Sequence, residues 1–390
     1  MTNHIIRYGL LLLWLPVMAA CSADSVVTAD AATDSGQAFV NGDELPISYA
    51  VSAEAVTRSE TLGGDFRVCA WMYDGSTAAE PYNNGEEELW VGSQILEDRY
   101  RGETVSENAG VWSTEAMHYW PRSWFNVDFY ATYPTTLPDI YVITDDSDPE
   151  NTYTYKGITQ TLTPGNAVTD MLYDFRTTNR DASDNGAVSL SFKHALSKVS
   201  FVGVTTNTGW HVQVSAMSLH NVCSTGIFDI KGGEWNAASL GSKTTYTLPL
   251  AGTGTVSFDD ESDDATALTA TGTPLMLIGQ RLTAWDTAST IAVNDASDGP
   301  KGSYLQLTCL IYSTANGGIE PILPASGTPT EIYVPLTNGT DGWQPGKHYI
   351  YTLHFGGGYD AEGNVNIVPV TMTTTVADWE EGTTTNGVAE

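Results

Sequence analysis

Residues 125–133, FNVDFYATY, carry the clearest secondary-structure pattern in the chain. Apolar or aromatic side chains stand at every second position and mostly polar ones stand between them, which is the period of a half-buried β-strand. The same alternation recurs at residues 45–53, 66–72, 349–355 and 368–376. Clusters of Gly, Asn, Asp and Pro separate these runs and are typical of turns. The pattern predicts an all-β protein.

The spacing of the runs predicts the architecture in more detail. Many short strands joined by turn-rich segments are typical of antiparallel β-sandwiches with Greek-key-like connections. No stretch keeps the 3.6-residue period of a helix over three turns, and only residues 98–105 could form a short helix. The segment 178–186 is rich in Gly, Asn, Asp and Ser and is the best linker candidate. It predicts two domains, at 59–187 and 188–390.

Composition narrows the class of protein. The 390 residues include 47 acidic and 16 basic side chains, for a net charge of −31. Nucleic acids and anionic membrane surfaces are excluded as partners because both need clustered Lys and Arg. Disorder is excluded because 11 Trp, 19 Tyr and 10 Phe are too many large apolar rings for an unfolded polyelectrolyte. The composition fits a secreted or surface protein that stays soluble at high concentration.

The first 20 residues predict export. Arg7 precedes a short apolar run at residues 10–15, and Met18, Ala19 and Ala20 precede Cys21. The apolar run is too short to span a bilayer, so residues 1–20 are predicted to be a cleaved signal peptide. Small residues before Cys21 resemble a bacterial lipobox, in which the cysteine thiol is acylated; the alternative is an ordinary signal peptide with an incidental cysteine. Residues 22–44 have the composition of a flexible tether.

The remaining cysteines, Cys69, Cys223 and Cys309, do not form a recognisable framework. Their odd number and wide spacing predict neither a set of disulfides nor a zinc site, although one disulfide among the three stays open. Cys309 shares its strand face with apolar neighbours, so we expect a buried thiol.

Catalytic and metal-binding motifs are missing from the sequence. It contains no HExxH, GxSxG, P-loop or dinucleotide fingerprint, so we predict a protein that is not an enzyme and holds no cofactor. The acidic stretches 145–148 and 259–264 could bind calcium, but neither has the glycine and distal glutamate of an EF-hand loop. Solvated loop tips are the favoured interpretation, and no metal is predicted.

Two further groups of residues have a functional and a structural interpretation. His194 and Lys198 share one strand face, where a structural or solvent-facing role is favoured over a catalytic one. Six tryptophans could form a sugar-stacking platform, but in a protein of two sandwiches most are expected to be packing residues. The six are Trp71, Trp90, Trp112, Trp120, Trp124 and Trp210.

The stretch Phe192–Val199, FKHALSKV, resembles the "F-x-H-A-L-S/A-K/R-V" strand of the fimbrillin-like lipoproteins of the Bacteroidales. Four other matches to that family occur in its order, with Gly279 standing where the family usually has proline. They are Trp112 with Tyr119–Pro121 and Val127–Pro134, then Leu275–Gln280, Trp343–Tyr351 and Val376–Trp379.

This resemblance implies a type V pilin or a close relative, with two transthyretin-like β-sandwich domains in tandem. It implies an outer-membrane lipoprotein precursor that a trypsin-like, Arg-specific protease cleaves, here between Arg58 and Ser59. Arg67 is the nearest rival site, but its strand context is expected to hide it. Cleavage would excise a strand at about Leu45–Val56 from the segment 21–58. The inward side chains of that strand are predicted to be Ile47, Tyr49, Val51 and Ala53.

The resemblance also implies the assembly. The groove left by the excised strand is filled by a C-terminal strand of another fimbrial subunit, and repetition builds a surface fimbrium that supports adhesion. The predicted donor segment lies within residues 365–376. Its groove-filling side chains are predicted to be Val368, Val370, Met372 and Val376. The alternative function is a tip adhesin or a non-polymerising surface lipoprotein that binds a glycan or a host protein.

Overall fold

The computed structural model is built of β-strands with very little helix among the described residues, which confirms the predicted all-β class. The structure describes residues 44–53, 62–74, 87–145, 153–164, 168–205, 207–260, 265–270, 275–314, 316–356 and 370–379. All of them belong to one compact unit, Phe39–Glu390; the other unit, Met1–Ala38, lies outside the described residues.

The described strands fall into two groups along the chain. Those of the first half are β1 (Ser48–Ala53), β2 (Phe66–Asp74), β3 (Glu88–Val91), β4 (Ser93–Leu96), β5 (Arg99–Arg101), β6 (Glu103–Asn108), β7 (Val111–Thr114), β8 (Phe125–Tyr133), β9 (Ile140–Asp145), β10 (Tyr153–Thr161), β11 (Leu172–Thr178) and β12 (Ala187–His194). Those of the second half are β13 (Ser197–Thr205), β14 (Trp210–Cys223), β15 (Thr225–Asp229), β16 (Glu234–Trp235), β17 (Lys243–Thr247), β18 (Val256–Asp259), β19 (Thr266–Ala267), β20 (Leu275–Leu277), β21 (Tyr304–Ser313), β22 (Glu320–Leu323), β23 (Thr330–Pro335), β24 (Lys347–Phe355) and β25 (Val370–Asp378). The helical segments described are α1 (Ile291–Asn294) and two 3-10 turns at Arg180–Ala182 and Ala237–Ser239.

Seven strands of the first half close into a barrel. Around it the order is β2, β6, β7, β1, β12, β11 and β8, and β8 pairs again with β2. The antiparallel β-sandwich expected for this part of the chain is therefore not confirmed, and a barrel is found there. Because β8, the last strand of this order, pairs with β2, the sheet closes on itself.

Alternate side chains of these strands fill the barrel. Phe66, Val68 and Ala70 of β2 are fully buried inside it, as their shared face predicted. In β8 the inward Val127 and Phe129 are also fully buried. The outward residues of β8 are buried as well, because a second layer covers this side of the barrel.

That second layer is a six-stranded sheet in the order β16, β15, β10, β9, β5 and β4. Trp71 of β2 and Tyr130 of β8 point outward from the barrel and pack in one buried cluster with Ile140, Ile158 and Phe228 of this sheet. A continuous apolar layer therefore joins the barrel to the sheet.

The stretch 98–105 contains the strands β5 and β6, so the expectation of a short helix there is wrong. Tertiary pairing overrides the local pattern, since β5 pairs with β9 and β6 pairs with β2. Gly102 joins the two strands where a Cβ atom would lie 3.0 Å from the carbonyl oxygen of Val68.

The second half forms a two-sheet sandwich. One sheet has the order β19, β13, β24 and β25, with β20 also on β13; the other has the order β17, β14, β21 and β22, with β18 on β14 and β23 on β21. A single apolar core contains side chains from both sheets, among them Phe201, Val212, Leu307 and Tyr351. The predicted strand at 349–355 is confirmed as β24.

Cys69, Cys223 and Cys309 are buried free thiols, which confirms the expectation for Cys309 and removes the option of a disulfide among the three. Burial raises the pKa of the Cys309 thiol to about 12.

Within the described ranges no cluster of three or more His, Cys, Asp or Glu side chains could hold a metal ion. Most of the acidic stretches 145–148 and 259–264 lies outside those ranges. Of the described helices, none is long and apolar enough to cross a bilayer.

Candidate functional site: the place of the first strand

The first strand, β1, lies in the barrel between β7 and β12, and we call the space it fills the strand slot. It runs parallel to β12 through six residue pairs, from Ser48–Ala187 to Ala53–Phe192. On its other edge it pairs with β7 only at Tyr49 and Trp112. One edge of β1 is therefore fully paired and the other is nearly free. Among the contacts between neighbouring strands of the barrel, the one between β1 and β7 has the fewest paired residues.

Its inward side chains belong to the barrel core. Ile47 and Tyr49 are 5% and 4% exposed, and Val51 is partly buried against the same core. The side chain of Ala53 lies outside the described part of the structure. Burial of an apolar side chain of this size stabilises a fold by about 1.5–3 kcal/mol. Packing thus holds β1 more strongly than its pairing with β7 does.

Tyr49 lies at the centre of the slot. Its ring meets Phe66 and Phe129 edge to face, with centroid distances of 5.9 and 6.2 Å. Its hydroxyl is buried and has no hydrogen-bond partner among the described residues. Burial, reinforced by the charge of Glu103, raises the pKa of Tyr49 far above its usual value, so the hydroxyl stays protonated. The ring therefore stabilises the occupied slot, whereas the unpaired hydroxyl costs about 1–3 kcal/mol.

The chain enters the slot through a backbone clamp. The carbonyl oxygen of Leu45 accepts from the Trp120 amide at 2.9 Å, and the Ile47 amide donates to the carbonyl oxygen of His118 at 2.8 Å. Trp120 is 2% exposed, and its indole N–H donates to the carbonyl oxygen of Gly186 at 2.9 Å. The loop after β7 and the turn before β12 therefore fix where β1 begins.

The processing residues predicted from the sequence are outside the described ranges. This holds for Arg58 and Ser59, and also for the lipidation candidate Cys21. The rival Arg67 lies inside β2, with backbone pairing on both sides. Its guanidinium donates to the carbonyl oxygen of Leu137 at 3.3 Å. The structure thus confirms the strand context that is expected to hide Arg67.

The predicted donor segment, residues 365–376, overlaps β25, the edge strand of the sandwich. This strand pairs with β24 through nine residue pairs, from Phe355–Val370 to Lys347–Asp378, and with no other described strand. The side chains from Thr373 to Asp378 are exposed without exception. A strand that is exposed on both faces owes its place mainly to its backbone hydrogen bonds.

The four predicted donor side chains differ in their surroundings. Val368 lies outside the described ranges, and Val370 opens β25 opposite Phe355. Met372 packs partly against the sandwich core, whereas Val376 is 53% exposed. An exposed valine on an edge strand is available for contact with another chain.

The end of β25 is anchored by a buried aromatic residue that follows it directly. Trp379 is 4% exposed and stacks on the His194 ring at a centroid distance of 3.9 Å, with 3° between the ring planes. His194 Nδ1 lies 2.5 Å from Asp170 Oδ2, and the Lys198 ammonium lies 5.8 Å from the Trp379 ring centroid. His194 ends β12 and Lys198 lies in β13, so the expectation that they share one strand face is wrong, while their contacts agree with the favoured structural role.

Sequence reasoning did not identify Trp120, Gly186 and Trp379 as parts of the site. Trp120 and Trp379 were visible only as members of family-like motifs, which indicate membership rather than contacts. Their partners lie far away along the chain, beyond the reach of any periodicity. Gly186 was visible only as one of several residues in a predicted linker.

One of the six tryptophans considered for a sugar-stacking platform is largely exposed. Trp71, Trp112 and Trp120 are at most 9% exposed, so packing is their main role, as expected. Trp124 is the exception at 54% exposed, and the Arg122 guanidinium lies 5.1 Å from its ring centroid.

A known protein family matches most of this chain. The sequence model of the fimbrillin-like family matches residues 61–379, which begin just after the predicted cleavage point. No curated protein matches this chain by sequence.

Solved structures resemble the fold. A fimbrial protein from Bacteroides vulgatus is 15% identical, with a TM-score of 0.53, over 86% of this chain and 99% of its own. The C-terminally truncated tip fimbrial protein Mfa3 from Porphyromonas gingivalis is 10% identical, with a TM-score of 0.36, over 86% of this chain and 99% of its own. The first similarity concerns the fold alone.

Proposed function

This chain belongs to the fimbrillin-like family, and from that premise we propose that it is a structural subunit of surface fimbriae that polymerises by strand exchange and supports adhesion. The observation that carries the proposal is the position of β1, which fills the barrel core but is fully paired on only one edge. A structural role of this kind needs no catalytic residue and no cofactor.

In the proposed maturation, residues 1–20 direct export and Cys21 receives a lipid that anchors the precursor at the outer membrane. A trypsin-like, Arg-specific protease then cuts between Arg58 and Ser59. Cleavage ends the covalent link between β1 and β2, so the segment of about Leu45–Val56 can leave the barrel. Before the cut the slot is filled, and the precursor stays monomeric.

Departure of β1 would open the slot. Ala187–Phe192 of β12 would lose their ladder partner, and the space left by Ile47 and Tyr49 would expose apolar barrel core. An unpaired strand edge beside apolar pockets is a template for an added strand, in which backbone pairing gives affinity and the pockets give specificity.

The donor in this proposal is the segment 365–376 of a neighbouring subunit, which overlaps β25 and fills the slot with Val368, Val370, Met372 and Val376. The exposure of β25 and its single pairing partner support this role, because little packing is lost when it leaves β24. A head-to-tail contact of this kind does not close on itself and therefore propagates as a filament.

The two-domain organisation is part of the proposal. The two-sheet packing of the second half supports a sandwich domain there. β12 begins at the predicted boundary of 187 and completes the barrel, so we place the end of the first domain after His194 instead. The domain boundary is tested by expressing residues 44–194 alone; cooperative unfolding would support an independent domain, whose transthyretin-like character is part of the proposal.

The test of the function is limited digestion of purified Ser22–Glu390 with a trypsin-like protease, followed by N-terminal sequencing and size-exclusion chromatography. We expect a new N-terminus at Ser59 and conversion of monomer to a ladder of oligomers. The variant Arg58→Gln is the matched control and should stay monomeric under the same digestion. A cut at Ser59 that leaves only a stable monomer would contradict polymerisation.

A second candidate function is a tip adhesin or non-polymerising surface lipoprotein, and the exposed Trp124 beside Arg122 favours it. An indole face with a neighbouring guanidinium can stack on a sugar ring and donate to its hydroxyls. Glycan-array binding by the monomer that disappears in Trp124→Ala would support this function. Equal binding by both proteins, or binding by neither, would contradict a role for this surface.

A further inference from the structure

Few side chains hold β25 on its own subunit. Between Thr373 and Asp378 every side chain is exposed, and the Lys347–Asp378 ion pair at the end of the strand is itself largely exposed. Exposed ion pairs contribute little to stability. Near the start of β25, Met372 packs partly against the sandwich core. At the other end, the buried contact comes from Trp379, the residue that follows the strand.

Trp379 is held by His194 and Asp170 of the first half of the chain and by Gly346 of the second half. Its ring lies flat on His194 at a centroid distance of 3.9 Å, and His194 Nδ1 lies 2.5 Å from Asp170 Oδ2. The backbone amide of Trp379 donates to the carbonyl oxygen of Gly346 at 2.9 Å. Trp379 also joins the buried cluster that contains Ala195. The strand end is therefore docked by a defined set of contacts.

The burial of Trp379 against His194 also costs free energy, and this cost favours its release. His194 Nε2, Asp170 Oδ1 and the Trp379 indole nitrogen are buried without a hydrogen-bond partner among the described residues. Buried polar groups without partners destabilise the arrangement that buries them. Release of Trp379 would give its indole nitrogen access to water and would uncover one face of the His194 ring.

One strand connects this contact to the strand slot. The first six residues of β12 form the ladder with β1, and His194 is its last residue. Next to it, β11 pairs with β12 only through Leu172–His194 and Tyr173–Lys193. When β1 leaves, Ala187–Phe192 therefore lose their only continuous ladder among the described strands. The residue under Trp379 belongs to the strand that is loosened.

We propose that Trp379 is a latch that holds β25 on its own subunit, and that β12 couples this latch to the strand slot, so that removal of β1 releases the donor strand. The proposal rests on the proposed function and adds its regulation: a subunit would offer its donor strand only after its own acceptor slot has opened.

The test is hydrogen–deuterium exchange of the β25 amides in the intact precursor, which requires no polymerisation. In Trp379→Ala we expect the exchange rate of Val370–Asp378 to rise about tenfold or more, because the strand keeps its pairing but loses its anchor. Trp379→Phe keeps an aromatic ring for stacking and should exchange much like the wild type. Thr375→Ser changes an exposed side chain of the same strand and should leave exchange unchanged. A second experiment compares wild-type β25 before and after cleavage at Arg58, where the coupling predicts faster exchange after cleavage.

The possible results distinguish a failure of the latch proposal from a failure of the proposed function. Unchanged β25 exchange in a folded Trp379→Ala would overturn the latch, even if polymers form normally. If Trp379→Ala does not fold, His194→Gln replaces it and must raise β25 exchange in the same way. Unchanged exchange after cleavage would overturn the coupling through β12. Faster exchange in the variant together with no polymer from any cleaved chain would support the latch and contradict the proposed function.

Discussion

Gly186 and Pro46 touch at the mouth of the barrel, where a Cβ atom at position 186 would lie 2.3 Å from the Pro46 carbonyl oxygen. The backbone of Gly186 has φ of +90°, a conformation that side chains rarely adopt. The absence of a side chain at this position therefore leaves the room that the chain needs to enter the slot.

The first prediction concerns Gly186→Ala in the intact precursor. The added methyl group meets the Pro46 carbonyl and also strains the backbone, so we expect a loss of at least about 2 kcal/mol in the free energy of unfolding. Urea denaturation followed by tryptophan fluorescence measures it.

Gly110 provides the matched control. It has φ of +85°, but a Cβ atom there would meet nothing within 4 Å. Gly110→Ala thus reports the backbone strain alone, and the difference between the two variants isolates the contact with Pro46. After cleavage and loss of β1 this difference should vanish. Equal losses in the intact precursor would mean that Gly186 does not restrict the slot.

The second prediction concerns the hydroxyl of Tyr49. It is buried without a partner among the described residues, so Tyr49→Phe should raise the free energy of unfolding of the precursor by about 1 kcal/mol. The same change should slow the departure of β1 after cleavage, which size-exclusion chromatography of the cleaved chain can follow.

Tyr351→Phe is the control for this substitution. The hydroxyl of Tyr351 is equally buried but accepts a hydrogen bond from the Trp343 indole nitrogen at 2.9 Å. Its removal leaves that donor unpaired and should destabilise the protein by about 1–3 kcal/mol. A destabilised Tyr49→Phe would show that an ordered water satisfies the hydroxyl.

Many strands of this fold could be predicted from local periodicity, because the alternation of side chains is visible within the sequence of each single strand. The alternation in β8 and β24 predicted both strands, and Ile47 and Tyr49 lie on the inward face that their spacing indicated. Closure of the barrel could not be predicted in this way, since it depends on the pairing of β2 with β8, more than fifty residues apart along the chain.

The same limit applies to the site. Met372 and Val376 share a strand face in the sequence pattern, yet Met372 packs partly against the sandwich core whereas Val376 is 53% exposed, a difference that alternation alone does not predict. The stacking of Trp379 on His194 joins residues from distant parts of the chain, and no pattern within either segment indicates it.

The third prediction uses the exposure of Val376. Val376→Asp should leave the stability of the monomer within about 0.5 kcal/mol, since the side chain is already 53% exposed. If Val376 enters the slot of a neighbour, its carboxylate would be buried there without a partner, and polymerisation should fall by about 100-fold or more. Light scattering after cleavage at Arg58 measures the rate.

Thr375→Asp adds the same charge to the same strand but on the opposite face. It should slow polymerisation much less, because that face of a donor strand points away from the barrel core. Equal inhibition by the two substitutions would contradict the assignment of Val370, Met372 and Val376 as the inward set.

The fourth prediction concerns the pH dependence of the sandwich sheet that carries β25. His348 of β24 lies between Lys198 and Ala377 on the flanking strands, and its Nε2 is 2.8 Å from the Ser200 hydroxyl. Burial, reinforced by the charge of Lys198, lowers the pKa of His348 from its ordinary 6.5 to about 4. Between these two values the unfolded chain binds more protons than the folded one. The contribution of His348 to stability is therefore complete above pH 6.5 and is lost as the pH falls toward 4.

The variant His348→Gln should remove this part of the pH dependence. We expect the wild type to lose about 1–2 kcal/mol more than the variant between neutral pH and the lower end of that window, a value reduced for partial exposure. Comparison with the variant is needed because the many carboxylates of this acidic chain also titrate there. Parallel stability curves for wild type and His348→Gln would show that folding leaves the titration of His348 unaltered.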